Sequence, residues 1–505
     1  MRSTHSRGPW RSLRSGCIAL SVVAAASVEA QDADPTLPPD PIVPVSPSVD
    51  SLPPSPREVD LATVLASLDE RHPLLQAAAE ERRIAEGDVQ SADGAFDVTW
   101  RTRGSAVALG YYQAGRIDTA VEVPTEWWGL TMFAGYRWGS DTFAEYEGKL
   151  PTNEYGEVRA GAMLPLWRNG PTDRRRANLW RAEIGTGLAE LSVAERQIEL
   201  ARVTTIRFWE WVGAGQRLRV SRTVLDVALD RDLQISVRAL TGDLPEIERI
   251  ENARAILQRR QQVVAAERSL AQAAFELSLY YRTAEGQPIL LDESALPQGL
   301  PTPVPVGDVN AEIISEALGR RPEITRLRGL RDQAIIEREW AGNQRAPAID
   351  LSVMGSQDLG PGSETRNPFE LEVSLFLDIP IERNVADGRV KAAEGQIARA
   401  EAQARFATEQ IATQVRDATN AVTLAEQRHK LAVAEVDVAQ QLERGERERF
   451  DLGDSSLLIV NLREQTALEA AIREVDALVD YHRARATLEA ATGARANPGR
   501  VRAGR

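Results

Sequence analysis

The sequence has few of the residues that form disulfides, metal sites and active sites. Its single cysteine, Cys17, excludes a disulfide or a thiolate metal site within one chain. The four histidines, which are His5, His72, His429 and His482, lack the spacing of metal ligands. Neither a phosphate-binding GxxxxGKS/T loop nor a nucleophile elbow is present. The sequence therefore predicts neither an enzyme nor a protein with a bound cofactor.

Excess positive charge and long apolar runs are also missing. The chain has 74 acidic and 60 basic side chains and a formal net charge of −14. This balance argues against a nucleic-acid-binding protein, whose phosphate contacts need clustered basic residues. After the N-terminal segment, no stretch approaches the roughly 20 consecutive apolar residues of a transmembrane helix. If the chain crosses a membrane, we expect it to do so as a β-barrel.

The two ends of the chain differ in composition from the rest. Residues 1–30 combine arginines, a short apolar core and small residues before Gln31, which predicts a secretory signal peptide. The alternative is a disordered basic tail. We assign Cys17 to the signal and expect no attached lipid, because the apolar run follows this cysteine. Residues 31–57 are rich in proline and predict an extended linker. Residues 494–505 predict a basic, disordered tail.

The longest predicted element is a helix from Asp387 to Phe450, which contains no proline. Small apolar residues recur in it at seven-residue intervals, in two seams. The first seam is Val390, Ile397, Ala404, Ile411, Ala418 and Ala425, and the second is Ala393, Ala400, Ala407, Gln414 and Ala421. A sustained heptad predicts a left-handed supercoil with other long helices.

Three segments instead alternate apolar and polar residues with a period of two, which indicates strands. They surround Phe96–Trp100, Trp128–Met132 and Tyr155–Leu166, and tryptophan and tyrosine concentrate among them. Such aromatics are expected in the girdles of an outer-membrane barrel. The alternative is a soluble β-subdomain with aromatic cross-strand pairs, which the segment taken alone slightly favours. The strands alone leave both interpretations open.

The chain repeats its own organisation. Each half runs through helix, strand, loop, strand, long helix, tight turn and returning helix. Four pairs of segments correspond in the same order: Asp69–Pro73 with Leu318–Pro322, Phe96–Trp100 with Ala348–Met354, Leu164–Asn169 with Ile379–Asn384, and Thr241–Asp243 with Leu452–Asp454. A unit of about 200 residues is too long for a solenoid repeat. We therefore predict a duplicated domain, with repeats at residues 58–286 and 308–493 and a linker at residues 287–307.

The two strand-to-helix junctions, GAMLPLWRNGPTDRRRANLWRAE and SLFLDIPIERNVADGRVKAAEGQ, resemble those of the TolC-like outer-membrane efflux proteins. In that family a proline at this place, here Pro165 and Pro380, marks the passage from membrane strand to periplasmic helix. The resemblance extends from about Glu58 to Gly493. One departure is the segment Trp127–Trp138, which leaves room for a third strand. It is either an enlarged extracellular hairpin or an extra strand pair.

The resemblance implies an α+β, mostly α fold and a homotrimer in the outer membrane. Each chain would supply four strands to a shared 12-stranded barrel, which a helical coiled-coil barrel continues into the periplasm. The implied function is that of a passive export duct in a tripartite efflux or type I secretion system. Its expected partners are a periplasmic adaptor, an inner-membrane transporter and outer-membrane lipid. The adaptor would open the duct at its helical tip.

The resemblance also indicates which residues lie at that tip. The turns expected to contact the adaptor are Thr241, Gly242, Asp243, Leu452, Gly453 and Asp454. Phe450 falls where the family can have a closed-state tyrosine, whereas the positions of the pore-lining aspartates hold Ile459 and Leu462. Negative charge at the aperture is instead expected from Glu246, Glu248, Glu251, Asp454 and Glu464. The alternative for each of these carboxylates is an ordinary solvated surface.

Two other kinds of protein share part of these features. A secreted, elongated coiled-coil structural or adhesive protein would combine long helices with a small β-head and no pore. A periplasmic adaptor would have one helical hairpin and a compact β-domain, which the duplication argues against. The outward faces of the strands distinguish the first alternative, because only a barrel requires them to be apolar.

Overall fold

A computed structural model describes residues 58–142, 151–307 and 310–494. The predicted signal peptide, the proline-rich linker at residues 31–57 and residues 495–505 of the predicted tail lie outside the described residues.

The first half of the described chain contains four helices and four strands. They are α1 (Leu61–Arg71), α2 (Pro73–Asp93), β1 (Thr99–Val107), β2 (Ala114–Pro124), β3 (Thr131–Asp141), β4 (Glu157–Pro165), α3 (Arg174–Leu240) and α4 (Glu246–Ser278). The second half contains α5 (Ala311–Arg320), α6 (Pro322–Asn343), β5 (Ala348–Asp358), β6 (Glu370–Asp378), α7 (Asn384–Asp451) and α8 (Leu457–Ala491). The element order therefore repeats, apart from the added pair β2 and β3.

Corresponding helices of the two halves begin with the same capping interactions and first-turn prolines. The Asp60 carboxylate accepts a hydrogen bond from the Thr63 amide at 2.8 Å and caps α1. The Asn310 side chain accepts one from the Ile313 amide at 2.9 Å and caps α5. A proline then occupies the first turn of α2 and of α6, where the missing N–H costs nothing. The predicted duplication is thus visible in local structure as well as in element order.

The six strands form one antiparallel sheet in the order β1-β2-β3-β4-β5-β6. This corrects the expectation of four strands per chain. The segment between Gly104 and Tyr155 forms an extra strand pair, and the two strands are hydrogen-bonded to β1 on one side and β4 on the other. The predicted strand around Trp128 begins later, at Thr131, because Trp128 and Gly129 have φ angles of 51° and 72° and belong to a turn.

The heptad seams of α7 agree with the structure in part. Residues of the first seam are buried or half-buried throughout. The second seam is correct as far as Ala407, but Gln414 and Ala421 are exposed, and Val415 and Val422 are buried in their place. The buried face shifts because the helix changes partners. It packs on α5, α6 and the end of α8 around Ile411, and on α8 from there to its own C-terminus.

The linker between the repeats is held against helices of both halves. Ala295 and Leu296 are buried in the cluster that contains Phe208 and Trp211 of α3. The Tyr481 hydroxyl of α8 donates to the Val304 carbonyl at 2.9 Å and accepts from the Val304 amide at the same distance. The linker is therefore part of the packed core.

His482 lies beside this contact and is buried in the same region. Its ring stacks on Trp209 with centroids 4.2 Å apart, and its Nε2 lies 2.9 Å from the Pro301 carbonyl oxygen. Burial lowers the pKa of the imidazole to about 4. The side chain therefore serves packing in its neutral form.

This burial predicts a pH-dependent stability. The unfolded imidazole binds a proton below pH 6.5, but the folded one does not until about pH 4. Stability should therefore fall by roughly 2 kcal/mol as the pH drops from 7 to 5. Urea unfolding at both pH values should show a smaller drop in His482→Gln than in the wild type. An equal drop in both proteins would contradict the assignment.

Candidate functional site

Every charged residue of the six strands lies on one face of the sheet. The strand register places the following residues on that face, which we call the charged face: Arg101, Arg103, Arg116, Asp118, Glu122, Arg137, Asp141, Glu157, Arg159, Asp350, Asp358, Glu370, Glu372 and Asp378. Chance alone would not sort charges in this way across six strands, so we take the sorting as the principal functional feature.

The opposite face, which we call the apolar face, carries no charge within the strands. It is formed in chain order by Trp100, Thr102, Gly104, Ala106, Gly115, Ile117, Thr119, Val121, Val123, Met132, Ala134, Tyr136, Trp138, Ser140, Val158, Ala160, Ala162, Leu164, Ile349, Leu351, Val353, Gly355, Gln357, Leu371, Val373, Leu375 and Leu377. Trp100, Val373 and Leu375 are each more than 60% exposed. A soluble protein rarely leaves so large an apolar surface uncovered.

The charged face is crosslinked by ion pairs. Asp118 accepts from Arg137 at 3.3 Å and also from Arg159, while Arg137 reaches Glu157 at 3.4 Å. Arg101 and Glu122 pair at 3.1 Å on the same face. These contacts join β1 through β4 across neighbouring strands. The charged face is thus suited to line a polar interior.

Exposed aromatic residues mark both ends of the sheet. The end next to the helices has Trp100, Trp127, Trp128 and Trp167, and the far end has Tyr111, Tyr155 and Phe369. Aromatic side chains with an apolar body and a polar tip are typical of the boundary between membrane and water.

The predicted junction prolines lie at the strand ends next to the long helices. Pro165 is the last residue of β4, and Pro380 follows β6 by two positions. Asp173 caps α3 by accepting from the Arg176 amide at 2.9 Å. Asp387 lies in the first turn of α7, at its N-terminus, and pairs with Arg345 at 2.7 Å.

The two tip turns have the same backbone structure. Gly242 and Gly453 both have a φ of 84°, a conformation that glycine adopts without a steric penalty. The amide after each glycine donates to a carbonyl five residues back, Asp243 to Arg238 at 2.9 Å and Asp454 to Arg449 at 2.8 Å. Both turns are thus Schellman motifs that reverse the chain between antiparallel helices. Within them, Thr241 hydrogen-bonds the Val237 and Arg238 carbonyls, whereas Leu452 is exposed.

A small hydrophobic cluster joins the two tips. Phe450 and Leu457 are buried against Ile235 of α3. The Glu248 carboxylate accepts from the Leu457 amide at 3.2 Å and so ties the start of α4 to the start of α8. Phe450 therefore packs inside the tip of its own chain.

The five predicted aperture carboxylates do not form one cluster. Glu246 pairs with Arg249 and Glu251 pairs with Arg254, and in each case the hydrogen bond lowers the pKa of the carboxyl. Asp454 is exposed at the second turn. Together with Glu248, these residues lie within or next to the tips. Their role at an aperture stays a prediction.

Glu464 is in a different environment from the other four. It is 2% exposed, and its carboxylate binds Arg231 at 2.7 Å, Arg447 at 2.9 Å and also Arg259. Burial raises the pKa of this carboxyl, but Arg231 and Arg259 outweigh burial and hold the pKa below its usual value. The Glu464 cluster, formed by these four residues, fastens α3, α4, α7 and α8 together. Sequence reasoning missed it because its members are far apart along the chain.

No helix within residues 58–142, 151–307 and 310–494 has the length and apolar character needed to span a membrane. In the same residues, no group of His, Cys, Asp and Glu side chains has the arrangement of a metal site.

The sequence of residues 313–494 matches the family described as Outer membrane efflux protein. This match lies in the second half of the chain. The resemblance seen at the strand-to-helix junctions is thereby confirmed, and the members of this family are transport conduits without enzymatic activity. Among curated proteins, none matches the sequence.

The fold is that of solved outer-membrane channels. The chain is similar to CusC, with 14% identity and a TM-score of 0.63 over 86% of this chain and 92% of that chain. It is similar to the outer membrane protein VceC of Vibrio cholerae, with 15% identity and a TM-score of 0.61 over 86% of this chain and 96% of that chain. It is also similar to the MtrE channel of Neisseria gonorrhoeae in its open state, with 16% identity and a TM-score of 0.61 over 86% of this chain and 88% of that chain. The expected mostly helical fold with an antiparallel sheet is therefore confirmed.

The Glu464 cluster makes a prediction about stability. Glu464→Gln should lower the free energy of unfolding by about 3 kcal/mol, because it leaves buried Arg259 without its counter-ion. Thermal unfolding followed by helical circular dichroism measures the change. The control is Glu469→Gln on the same helix, whose carboxylate is exposed. Equal, small shifts in both variants would show that the cluster contributes little.

Proposed function

We propose that this protein is the outer-membrane channel of an export system and conducts its cargo passively. The observation that carries the proposal is the complete separation of charged and uncharged residues on the two faces of the sheet. A membrane barrel needs an apolar outer wall and tolerates charge only toward its lumen. The strands are 9 to 11 residues long, which is the length of a membrane-spanning strand.

The same proposal assigns the helices to the periplasm. Both β4 and β6 lead through short segments into the longest helices, α3 and α7, of 67 and 68 residues. Each of these helices extends about 100 Å from the sheet at 1.5 Å per residue. The tip turns at Gly242 and Gly453 therefore lie far from the membrane, on the side that an inner-membrane partner can reach.

Unpartnered surfaces on the outer helices support a homotrimer. Within one chain α3 contacts α8, through pairs such as Arg217 with Asp476 at 2.6 Å. This leaves α4 and α7 at the two sides of the helical layer. Each carries an exposed apolar heptad, namely Ile250, Leu257 and Val264 on α4, and Leu424, Leu431 and Val438 on α7. A second copy that places its α4 against this α7 would bury both heptads.

The tips are the proposed docking place of the periplasmic adaptor. Leu240 and Leu452 are each at least 79% exposed next to the turns, and exposed apolar residues at a loop favour a partner. Contact by an adaptor, coupled to an inner-membrane transporter, would separate the tips and open the duct. Residues Thr241, Gly242, Asp243, Leu452, Gly453 and Asp454 form this surface.

The alternative of a secreted coiled-coil protein without a pore is less well supported. A soluble β-head would need to cover the apolar face with other parts of the chain. Within the described residues, Val373 and Leu375 on that face remain exposed. Lipid covers such a face in the proposed channel.

The helical seam predicts how the trimer is held together. Leu424→Asp combined with Leu431→Asp should convert most of the detergent-solubilised trimer to monomer, because it places charge in the proposed seam between copies. Light scattering with detergent correction measures the mass. Val433→Asp on the opposite side of α7 is the control and should leave the trimer intact. If the double variant remains fully trimeric, the contact between copies does not run through Leu424 and Leu431.

The tip carboxylates predict the ion selectivity of the pore. In planar bilayers with a salt gradient, the wild type should prefer cations, and Glu246→Gln with Asp454→Asn should shift the reversal potential toward zero. The control is Glu394→Gln, which lies on α7 far from the tip. If the tip variant and the wild type have the same reversal potential, these two carboxylates do not line the aperture.

A further inference from the structure

The strands β2 and β3 are an addition to the first half of the chain. In the second half, β5 is followed directly by β6. In the first half, the hairpin of β2 and β3 is inserted between β1 and β4, the two strands that correspond to β5 and β6. The question is whether this hairpin projects beyond the membrane or forms part of the membrane wall.

The hydrogen bonds between the hairpin and its neighbouring strands favour a place in the membrane wall. β1 is hydrogen-bonded to β2 from Thr99 to Val107, over its whole length. β3 is hydrogen-bonded to β4 from Thr131 to Arg137. In the six-stranded sheet, β1 and β4 are joined through the hairpin, whose two strands lie between them.

The two faces of the hairpin continue those of its neighbours. On the apolar face, Val121 lies opposite Trp100 of β1 and opposite Ala134 of β3. On the charged face, Asp118 of β2 and Arg137 of β3 join the ion pairs that reach Glu157 and Arg159 of β4. A hairpin in water would have no reason to keep one face free of charge over eleven residues in each strand.

The position of its turn shows that the hairpin extends to the helix end of the sheet. The turn at residues 125–130 lies against the junction of β4 and α3. A Cβ atom on Gly129 would lie 2.8 Å from the Asn169 carbonyl oxygen, and one on Gly170 would lie 2.7 Å from the Trp128 indole nitrogen. Close contact at both glycines fixes the turn beside the start of the long helix, so the hairpin spans the full height of the sheet.

We infer that β2 and β3 are membrane-spanning strands whose apolar faces contact lipid acyl chains, and that each chain supplies six strands to the barrel. The inference rests on the proposed trimeric channel. Six strands from each of three copies give eighteen in place of the twelve expected from four. Since barrel diameter grows roughly linearly with strand number, the outer opening would be about 1.5 times as wide.

Spin labels on single cysteines test the inference in the full chain. In a Cys17→Ser background, we would label Val121→Cys and Ala134→Cys on the inserted hairpin in liposomes. Collision with oxygen, which dissolves in lipid, is compared with collision with a water-soluble nickel chelate. Both positions should favour oxygen several-fold over Arg116→Cys, which lies on the charged face of β2.

Two matched positions separate the inference from the proposed channel. Val353→Cys and Val373→Cys are paired with each other on the apolar face of β5 and β6. If all four positions favour oxygen, the hairpin is part of the membrane wall. If only Val353 and Val373 do so, the channel stands and the six-strand wall is overturned. If none of the four does so, the proposed channel fails, and this inference fails with it.

Discussion

Backbone polar groups that face hydrocarbon must find hydrogen-bond partners within the protein, because lipid offers none. The four inner strands of the sheet meet this requirement within one chain. In the described residues, β1 pairs only with β2 and β6 pairs only with β5. In the proposed trimer, the outer edges of both strands would pair with neighbouring chains. Successive strands alternate in direction, so the β6 edge of one copy fits antiparallel against the β1 edge of the next.

The helical part favours the proposed association for a second, independent reason. The heptads on α4 and α7 are exposed in one chain, and their burial needs a neighbour on each side. The same rotation between copies that closes the strand edges would bring these helices together. In the proposed channel, the Glu464 cluster, the joined tips and the linker held by Tyr481 would make each chain a rigid segment of the assembly. Small rearrangements between chains, rather than within them, would then open the duct.

Much of the fold could be predicted from the sequence because it depends on local signals. The long helix predicted at Asp387–Phe450 is observed at Asn384–Asp451. The tip turns were predictable from glycine, which permits the required φ. β2 was missed, although Arg116 to Val123 alternates charged or small residues with apolar ones and could have identified it. Trp128 and Gly129 lie in the turn between β2 and β3, but the sequence pattern assigned Trp128 to a strand, so the turn that joins the two strands was not recognised.

What could not be predicted depends on contacts between distant segments. The shift of the buried face of α7 near Val415 follows from its change of partner, which no heptad count reveals. The burial of Glu464 among three arginines depends on four helices meeting at one point. The pairing of the charged residues across β2, β3 and β4 likewise required the register of the sheet.

Electron cryomicroscopy of the full-length protein in lipid nanodiscs tests the central claim most directly, because it shows the assembly and its membrane wall together. The account predicts a particle with a three-fold axis, a closed wall of strands within the lipid disc and a helical tube outside it. A single chain with open sheet edges, or a particle whose sheet lies outside the disc, would contradict it.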